Sequence, residues 1–310
     1  MPERPISMIS GIIVINKERG YTSHDVVARL RGILKTKKIG HTGTLDPMAE
    51  GVLPVCVGNA TKLCETFTDH DKEYEAVMIL GRKYDTLDVT GELLETREVM
   101  STREDIEEAV KSFAKGYDQV PPMYSAKKVG GRKLYDLARC GITVERKPVF
   151  VKIYDIEILS VELPRVKIKV KCGKGTYIRS LIDDIGNRLG CGAAMEKLVR
   201  TRSGDFAIEG AYTLSEVEDA AGTDRIADVM LSLDVIFEHL PAYEATEKTV
   251  RLVRNGNVLS GKDIREAAGS LEDAANGNRI RVYADGKLCG IYEYKIAGDI
   301  YKPYKMFLSP

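Results

Sequence analysis

The chain has 310 residues, of which 44% are hydrophobic and 30% are charged. A chain of this length can bury a substantial core in one large domain or in two domains. It has no run of about eighteen apolar residues, and its first residues lack the apolar core of a signal peptide, so we expect no membrane contact and a cytoplasmic location.

The charges balance overall, with 46 basic and 46 acidic residues, but they are unevenly distributed. Residues 122–182 contain fourteen Lys and Arg against five Asp and Glu, whereas residues 91–110 contain two against seven. A basic segment of this kind fits either a solvated face or a surface that binds a polyanion such as RNA. Charge alone leaves both interpretations open.

The cysteines have neither CxxC spacing nor histidine neighbours at metal-ligand spacing. We therefore expect reduced thiols, mostly in the core, with no disulfide framework and no metal site. They are Cys56, Cys64, Cys140, Cys172, Cys191 and Cys289.

The first elements in chain order are a strand, a helix and a loop. Residues 11–15 are an apolar run typical of a strand. Thr22 or Ser23 is expected to cap a helix that begins near Asp25 and ends at the basic run of residues 35–38, where cations suit the helix dipole.

The loop is predicted at residues 40–51, with the sequence GHTGTLDPMAEG. Three glycines, two threonines and an Asp-Pro pair cannot continue a helix or fill a central strand. The loop can be a turn and nothing more. It also lies between a basic run and an apolar strand over residues 51–57, so His41 and Asp46 fit a rigidly mounted site as well.

A strand is predicted over residues 74–80, and a turn-rich segment follows it. Ser101 and Glu104 form a capping-box pattern that starts an acidic helix ending near Phe113. Residues 119–126 contain two prolines and are expected to be extended. The basic segment that follows has a Gly-Gly hinge and a short amphipathic helix, which suits either an insert that clasps a polyanion or an ordinary basic surface helix.

Two strands are predicted over residues 149–161 and 166–172, and alternation in the second places lysines on one face. A helix over residues 176–189 follows a glycine-rich turn. Its first turn carries Tyr177 and Arg179, a position suited to an anion or a carboxylate. The alternative for Arg179 is an ordinary surface arginine.

The last third of the chain is predicted to contain a short helix over residues 193–199 and two acidic helices after Leu214. We place a domain boundary at Pro241. Beyond it, two strands separated by Asp285-Gly286 form a hairpin within a small, mostly β unit.

Taken together, six segments resemble the bacterial TruB-type tRNA pseudouridine 55 synthase family, and the resemblance covers nearly the whole chain. Two positions depart from the family pattern: Glu18 stands where proline is usual, and Tyr84 where threonine is usual. The six segments are GIIVINKERGYTSHDVV (11–27), GHTGTLDPMAEGVLPV (40–55), KEYEA (72–76), QVPPMYSAKKVGGRKLYDLARCG (119–141), CGKGTYIRSLIDDIG (172–186) and LVRTRSGDF (198–206).

The resemblance implies an α+β fold, with a mixed, largely antiparallel sheet and flanking helices as in pseudouridine synthases. It implies a catalytic domain over residues 1–240, with an RNA-clasping insert at about 122–147. A small β-rich, PUA-like RNA-binding domain is expected over residues 241–310.

The resemblance also implies an isomerase that flips a uridine out of RNA, cleaves its N1 glycosidic bond and rejoins the base through C5. This reaction needs no redox cofactor, nucleotide or metal. Asp46 is implied as the nucleophile or base, and Arg179 as the cation that keeps it ionised against the effect of burial. The other implied substrate-binding residues are Tyr74, stacked on the uracil and able to help move a proton, Tyr177 beside the base, His41 supporting the flipped RNA, and Leu198 lining the pocket.

The implied partner is the T stem-loop of tRNA, bound by a monomer without an obligate protein partner. Two alternatives stay open: a guide-RNA-dependent pseudouridine synthase and a non-catalytic RNA-binding or RNA-folding protein. The expected contacts to the RNA backbone are Lys17, Lys35, Lys37, Lys38, Lys127, Lys128, Arg132 and Lys133, together with the lysine face Lys167, Lys169 and Lys171.

Overall fold

A computed structural model describes residues 10–268 and 275–308 of the chain, apart from the side chains of Lys133 and Ala268. Within these residues, strands of residues 11–232 form the larger sheet, and strands of residues 242–306 form a separate one. The expectation about a signal segment concerns residues 1–9, which lie outside the described ranges.

The strands are β1 (Gly11–Lys17), β2 (Ile39–His41), β3 (Glu50–Val57), β4 (Lys72–Leu80), β5 (Arg82–Tyr84), β6 (Leu93–Thr96), β7 (Tyr117–Gln119), β8 (Lys128–Val129), β9 (Arg132–Lys133), β10 (Val149–Val151), β11 (Ile153–Glu162), β12 (Arg165–Cys172), β13 (Ala193–Ser203), β14 (Phe206–Ala207), β15 (Leu231–Ser232), β16 (Ala242–Glu244), β17 (Leu259–Ser260), β18 (Arg279–Ala284), β19 (Lys287–Lys295) and β20 (Ile300–Met306).

The helices are α1 (Ser23–Ile33), α2 (Cys64–Thr68), α3 (Arg103–Lys111), α4 (Leu134–Arg139), α5 (Ile178–Arg188), α6 (Leu214–Gly222), α7 (Leu233–Ile236), α8 (Val250–Arg254) and α9 (Gly261–Ala268).

The larger sheet has the strand order β11-β12-β4-β13-β3-β1-β15, with β14 paired to β13 and β2 to β3. Its described pairs are antiparallel except for β3 with β13, which run parallel where Glu50 faces Val199 and Gly51 faces Arg200. The predicted mixed, largely antiparallel sheet is therefore confirmed. The parallel contact matters because it brings the exit of the Asp46 loop against β13.

Both faces of the central strands are covered, which explains why β1 is a continuous apolar run instead of an alternating one. Ile13 and Ile15 share one core with apolar residues of α1, α3, α5 and α6. Ile12 and Val14 face a second core, which includes Phe307 from the C-terminal part. Flanking helices thus cover one face of the larger sheet, and the second sheet packs against the other face.

The strand β13 replaces the helix predicted over residues 193–199, so that prediction is wrong. Two register shifts against β4 interrupt the alternation of β13, because each bulge sets two residues opposite one. Burial consequently falls on Met195, Leu198, Arg200 and Ser203. These uneven spacings resemble a helical stripe in the sequence.

Other local predictions need smaller corrections. Thr22 caps α1 and shares a capping box with Asp25, as expected. The cap of α3 is Thr102 with Asp105, one residue later than the predicted pair. The predicted strand over residues 149–161 is divided into β10, which pairs with β7, and β11. The hairpin at Asp285-Gly286 is confirmed between β18 and β19.

The described residues contain no helix that is long and apolar enough to cross a membrane. They also contain no group of three or more His, Cys, Asp or Glu placed to hold a metal ion. The six cysteines are free thiols, of which Cys64 is partly buried, Cys140 is exposed and the others are buried.

Candidate active site

The loop of residues 40–51 connects β2 to β3 and is shaped by glycine at two points. Gly43 and Gly51 have φ angles of 124° and 100°, which side chains rarely adopt. A Cβ on Gly51 would also lie 2.3 Å from the main-chain oxygen of Arg200. The loop is therefore fitted closely against β13.

The N-terminal block fixes the middle of this loop. The Ser23 hydroxyl accepts a hydrogen bond from Leu45 N at 2.9 Å and donates to Leu45 O at 3.2 Å. Gly20 N donates to Pro47 O at 2.8 Å. Because the polar main-chain groups on either side of Asp46 are bound, the carboxylate is mounted on a fixed backbone.

Lys17 lies beneath the loop instead of on the surface. It is 1% exposed, and its ammonium donates to the carbonyl oxygens of Tyr21 at 2.7 Å, Glu18 at 3.0 Å and Pro47 at 3.4 Å. Burial lowers the pKa of Lys17 to about 8, with Asp46 opposing this shift. A contact with an RNA phosphate needs an exposed ammonium, so the structure gives Lys17 a loop-holding position. The departure at Glu18 leaves this contact intact because the acceptor is a main-chain oxygen.

Asp46 and Arg179 are in direct contact. Arg179 Nε lies 2.9 Å from Asp46 Oδ2, with the Arg179 side chain 6% exposed and that of Asp46 35% exposed. The remaining guanidinium nitrogens also have partners: Nη1 donates to Thr86 O at 3.0 Å, and Nη2 to Tyr124 O at 2.7 Å. The guanidinium plane is thus fixed, with one edge presented to a carboxylate that solvent can reach.

Asp88 is a second carboxylate at Arg179 that sequence reasoning missed. Its Oδ2 lies 3.7 Å from Arg179 Nη1, and its side chain is 6% exposed. Its Oδ1 accepts hydrogen bonds from Thr86 Oγ1 at 3.0 Å and from Thr90 N at 3.0 Å. The Thr-x-Asp-x-Thr pattern of this turn was the available signal, since hydroxyls at these spacings can satisfy a buried aspartate.

Burial is the largest influence on the pKa of Asp46 and raises it above the usual value of an aspartate. The neighbouring charge of Asp88 acts in the same direction, whereas Arg179 and Lys17 lower the pKa. The expected opposition between burial and Arg179 is therefore present, and burial is the stronger of the two. Arg179 limits the rise and so favours the ionised carboxylate at neutral pH.

Two tyrosines flank the carboxylate. Tyr74 lies on β4 and is 8% exposed, and Tyr177 is the partly buried N-cap residue of α5. Burial raises the pKa of both phenols; for Tyr74, Arg200 opposes this effect. Both rings are therefore neutral at rest and suited to contact with a base. Leu198, buried on β13, supplies an aliphatic side chain to the same core.

Gln119 holds Tyr177 in place, a role that its extended segment did not reveal. The Gln119 amide oxygen accepts from Tyr177 N at 2.8 Å, and its nitrogen donates to Tyr177 O at 3.0 Å and to Tyr117 Oη at 2.7 Å. The amide is 1% exposed. These bonds fix the start of α5, two residues before Arg179.

His41 ends β2 at the edge of this site and is partly buried. Burial and the nearby charges of His24 and Arg200 lower the pKa of His41 to about 4. Its Nδ1 accepts from Gly43 N at 3.3 Å, and its ring meets that of His24 edge-on, with 5.5 Å between centroids. His41 is therefore a neutral ring that can stack or form hydrogen bonds.

Apart from Lys17, the predicted RNA-backbone residues fall into two groups: the cations near α1 and in the insert, and the lysine face of β12. Lys35, Lys37, Lys38, Lys128 and Arg132 are exposed, and Lys127 is partly exposed. The side chain of Lys133 lies outside the described residues. Lys35, Lys37 and Lys38 lie between α1 and β2, and the other cations lie in the insert.

The lysine face of β12 is different, because β4 places glutamates beside it. Lys167 lies 2.7 Å from Glu75, and Lys171 lies 3.7 Å from Glu73. Lys169 also approaches Glu73, at 4.0 Å. The predicted alternation is confirmed, but this face is not a bare positive surface because its charges are paired.

The chain was compared with known proteins. Residues 31–178 match the family model described as TruB family pseudouridylate synthase (N terminal domain), and residues 179–238 match that described as tRNA pseudouridylate synthase B C-terminal domain. It is 48% identical over 309 residues to tRNA pseudouridine synthase B of Lachnoclostridium phytofermentans, covering 97% of this chain and 100% of that protein. It is 38% identical over 311 residues to the Bacillus subtilis protein of the same name, covering 97% and 99%.

Solved structures with a similar fold include one described as a Cbf5-Nop10-Gar1 complex. Its TM-score is 0.71 at 30% identity, covering 98% of this chain and 88% of that chain. A second, described as an H/ACA RNP bound to a substrate RNA containing 2'-deoxyuridine, gives 0.69 at 27% identity, covering 99% and 88%. Similarity along almost the whole chain includes both sheets.

Proposed function

This chain belongs to the TruB family of pseudouridylate synthases, and on that premise we propose that it isomerises uridine 55 in the T loop of tRNA to pseudouridine. The observation that carries the proposal is the Asp46 carboxylate, which is held at 2.9 Å from a buried Arg179 and remains open to solvent. Its relatives carry the name tRNA pseudouridine synthase B.

The reaction moves one bond without a net change in composition. The N1–C1′ bond breaks, the uracil turns, a C5–C1′ bond forms, and the proton on C5 is replaced by one on N1. Asp46 begins this sequence by attacking the sugar, by attacking the base, or through a glycal route. Each of these routes requires an ionised carboxylate, which Arg179 favours.

The aromatic residues contribute to base handling. A flipped uridine loses its stacking partners, and contact with an aromatic ring returns about 1–3 kcal/mol per base. Tyr74 and Tyr177 supply such rings near Asp46, Leu198 adds an aliphatic wall, and His41 supports the flipped-out RNA conformation near the vacated base position. A uridine bound among these side chains would cover Asp46 and exclude water from the reacting centre.

The direct test incubates the purified chain with an unmodified tRNA transcript and no other RNA or protein. We expect close to one pseudouridine per transcript, detected by carbodiimide labelling and primer extension at position 55. A transcript with cytidine at position 55 is the matched control and should remain unmodified. Failure to modify the uridine transcript under any salt condition would contradict the proposed function.

Guide-RNA-dependent synthesis is the second candidate, because the Cbf5 structures share this fold. Activity that appears only after a guide RNA and accessory proteins are added would favour it. The insert of residues 122–147 supports the stand-alone activity, because it supplies this chain with its own basic segment near the site. A non-catalytic RNA-binding protein would bind the transcript and leave it unmodified.

The RNA-backbone surface that we propose comprises Lys35, Lys37, Lys38, Lys127, Lys128, Arg132 and Lys133. Since such contacts release counterions, affinity for tRNA should fall at least about 10-fold between about 50 mM and 200 mM salt. Filter binding across this range measures the slope. Replacing Lys35, Lys37 and Lys38 by Gln should flatten it, whereas replacing them by Arg should not. A salt-independent affinity would remove this surface from the proposal.

We also propose that residues 241–310 form a PUA-like RNA-binding domain, that the chain acts as a cytoplasmic monomer, and that it needs no protein partner. The separate sheet over residues 242–306 and its own apolar core support the domain assignment.

A further inference from the structure

Arg200 is the largest of the fully buried side chains, at 1% exposure. The ion pairs among the described residues do not include it, although its neighbour Arg202 approaches Glu73 at 3.9 Å. A buried cation without a carboxylate costs stability. The position of Arg200 in the fold suggests what its charge does.

Arg200 lies at the junction of three strands of the larger sheet. On β13 it faces Tyr74 of β4 in the antiparallel register and Gly51 of β3 in the parallel one. Its Nε donates to Val52 O at 2.6 Å, and its Nη2 donates to Gly43 O at 3.2 Å. One guanidinium thus ties the Asp46 loop and β3 to β13, which pairs with the strand that carries Tyr74.

The side chains of Arg200 and Tyr74 are neighbours, since residues that face each other across strands share one face of the sheet. Burial is the main cause that raises the pKa of Tyr74, with Cys172 and Asp46 acting in the same direction, whereas the positive charge of Arg200 lowers it. With two of its five N–H groups on main-chain carbonyls, Arg200 retains donors for the Tyr74 hydroxyl.

Two further buried cations strengthen the positive field under the site. Lys17 is 1% exposed and Lys72 is 7% exposed, and their ammonium groups are bound by carbonyl oxygens. Repulsion from Arg200 is one cause of the lowered pKa of each lysine. Negative charge that forms on Tyr74 during the reaction would therefore be stabilised by the positive charges of Arg200, Lys17 and Lys72.

We propose that Arg200 is a positioning residue that aligns the Tyr74 hydroxyl with the Asp46 loop and stabilises Tyr74 as a transient phenolate. The proposal rests on the proposed function and concerns its proton transfer. Tyr74 gives its hydroxyl proton to N1 of the detached uracil, so an O–H bond breaks and an N–H bond forms. After the C5–C1′ bond has formed, the phenolate takes the C5 proton and regenerates the phenol, and the C5–H electron pair restores the ring double bond.

The test is a double-mutant cycle measured as single-turnover rates on T-loop tRNA. In the presence of Tyr74, we expect Arg200→Lys to lower the rate about 10-fold and Arg200→Met about 100-fold, as for the loss of a preorganised charge. In a Tyr74→Phe background the loss from each change should be at least about 5-fold smaller, because the charge then has no phenolate to stabilise and only the support of the Asp46 loop is lost. Affinity for tRNA should stay within about 2-fold, since Arg200 is buried.

Arg202→Lys, on the same strand, is the matched control and should leave the rate unchanged. Far-UV circular dichroism and urea unfolding identify variants that do not fold, and Arg200→Lys keeps the charge if Arg200→Met fails. Equal losses in both Tyr74 backgrounds would overturn the inference while leaving the synthase activity standing. A Tyr74→Phe variant at the wild-type rate would overturn both the inference and the proton-transfer role of Tyr74.

Discussion

Replacing Asp46 by Asn should lower pseudouridine formation by about 10⁴-fold or more, as the loss of a group that acts directly on the substrate does in other enzymes. The amide has nearly the same shape and can still accept a hydrogen bond from Arg179, so the loop should keep its conformation. It is neither a nucleophile nor a base, so none of the three routes can begin. tRNA affinity should stay within about 3-fold, because backbone phosphates supply most of it.

Single-turnover assays on unmodified tRNA and filter binding measure the two quantities separately. Asp205→Asn is the matched control, because Asp205 is exposed in the turn between β13 and β14. That variant should have the wild-type rate. An Asp46→Asn enzyme that retains more than about a tenth of the wild-type rate would exclude Asp46 as the reacting group, even if tRNA affinity is unchanged.

Replacing Arg179 by Met should lower the rate about 10²–10³-fold, the range for removing one preorganised charge contact. Without the guanidinium, Asp46 and the buried Asp88 remain as neighbouring carboxylates with no arginine between them, and the pKa of Asp46 rises further. Since the reaction needs the ionised form, the acid limb of the rate profile should move to higher pH. Arg179→Lys should recover only part of the rate. The lysine restores the positive charge, but one ammonium cannot reach all the acceptors that the planar guanidinium contacts.

Arg179→Met should also reduce the free energy of unfolding by about 2–3 kcal/mol. This is below the range of about 3–5 kcal/mol for removing one partner of a fully buried pair, because 35% of the Asp46 side chain is open to solvent. Arg165→Met is the matched control, since Arg165 forms a two-bond contact with Glu196 at an exposed edge. It should affect neither the rate nor its pH dependence. An unchanged acid limb in Arg179→Met would show that Arg179 does not set the ionisation of Asp46.

Much of the site could be predicted because its signals are local. Glycines around Asp46 predicted a shaped loop, the glycine-rich entrance to α5 predicted a polar site at Arg179, and resemblance to a family paired the two. Asp88, Gln119 and Arg200 were missed for a common reason. Each is a polar side chain whose importance comes from burial against a distant segment. For Gln119 and Arg200 neither burial nor the partner is visible in a local pattern, and for Asp88 the Thr-x-Asp-x-Thr turn signals burial but not the Arg179 partner.

The fold could be predicted in the same uneven way. Strands covered on both faces, such as β1, are recognisable as apolar runs, and capping residues located α1 well. β13 was assigned wrongly because its bulges against β4 break the period of two. These bulges depend on the partner strand, so periodicity within residues 193–203 could not reveal them. The strand that carries Leu198 and Arg200 was thus the least predictable part of the site.

The carbonyl oxygen of Tyr124 gives the insert a direct share in the active centre. This oxygen accepts a hydrogen bond from Arg179 Nη2 at 2.7 Å, while the same guanidinium contacts Asp46 through Nε. Any displacement of the insert removes Tyr124 O as a hydrogen-bond acceptor of Arg179, and so changes how strongly Arg179 attracts the Asp46 carboxylate. If the insert binds RNA as proposed, this binding and the ionisation of Asp46 are thermodynamically linked, and the linkage acts equally in both directions. A substrate that moves the insert would change the pKa of Asp46 before the uridine reaches this carboxylate.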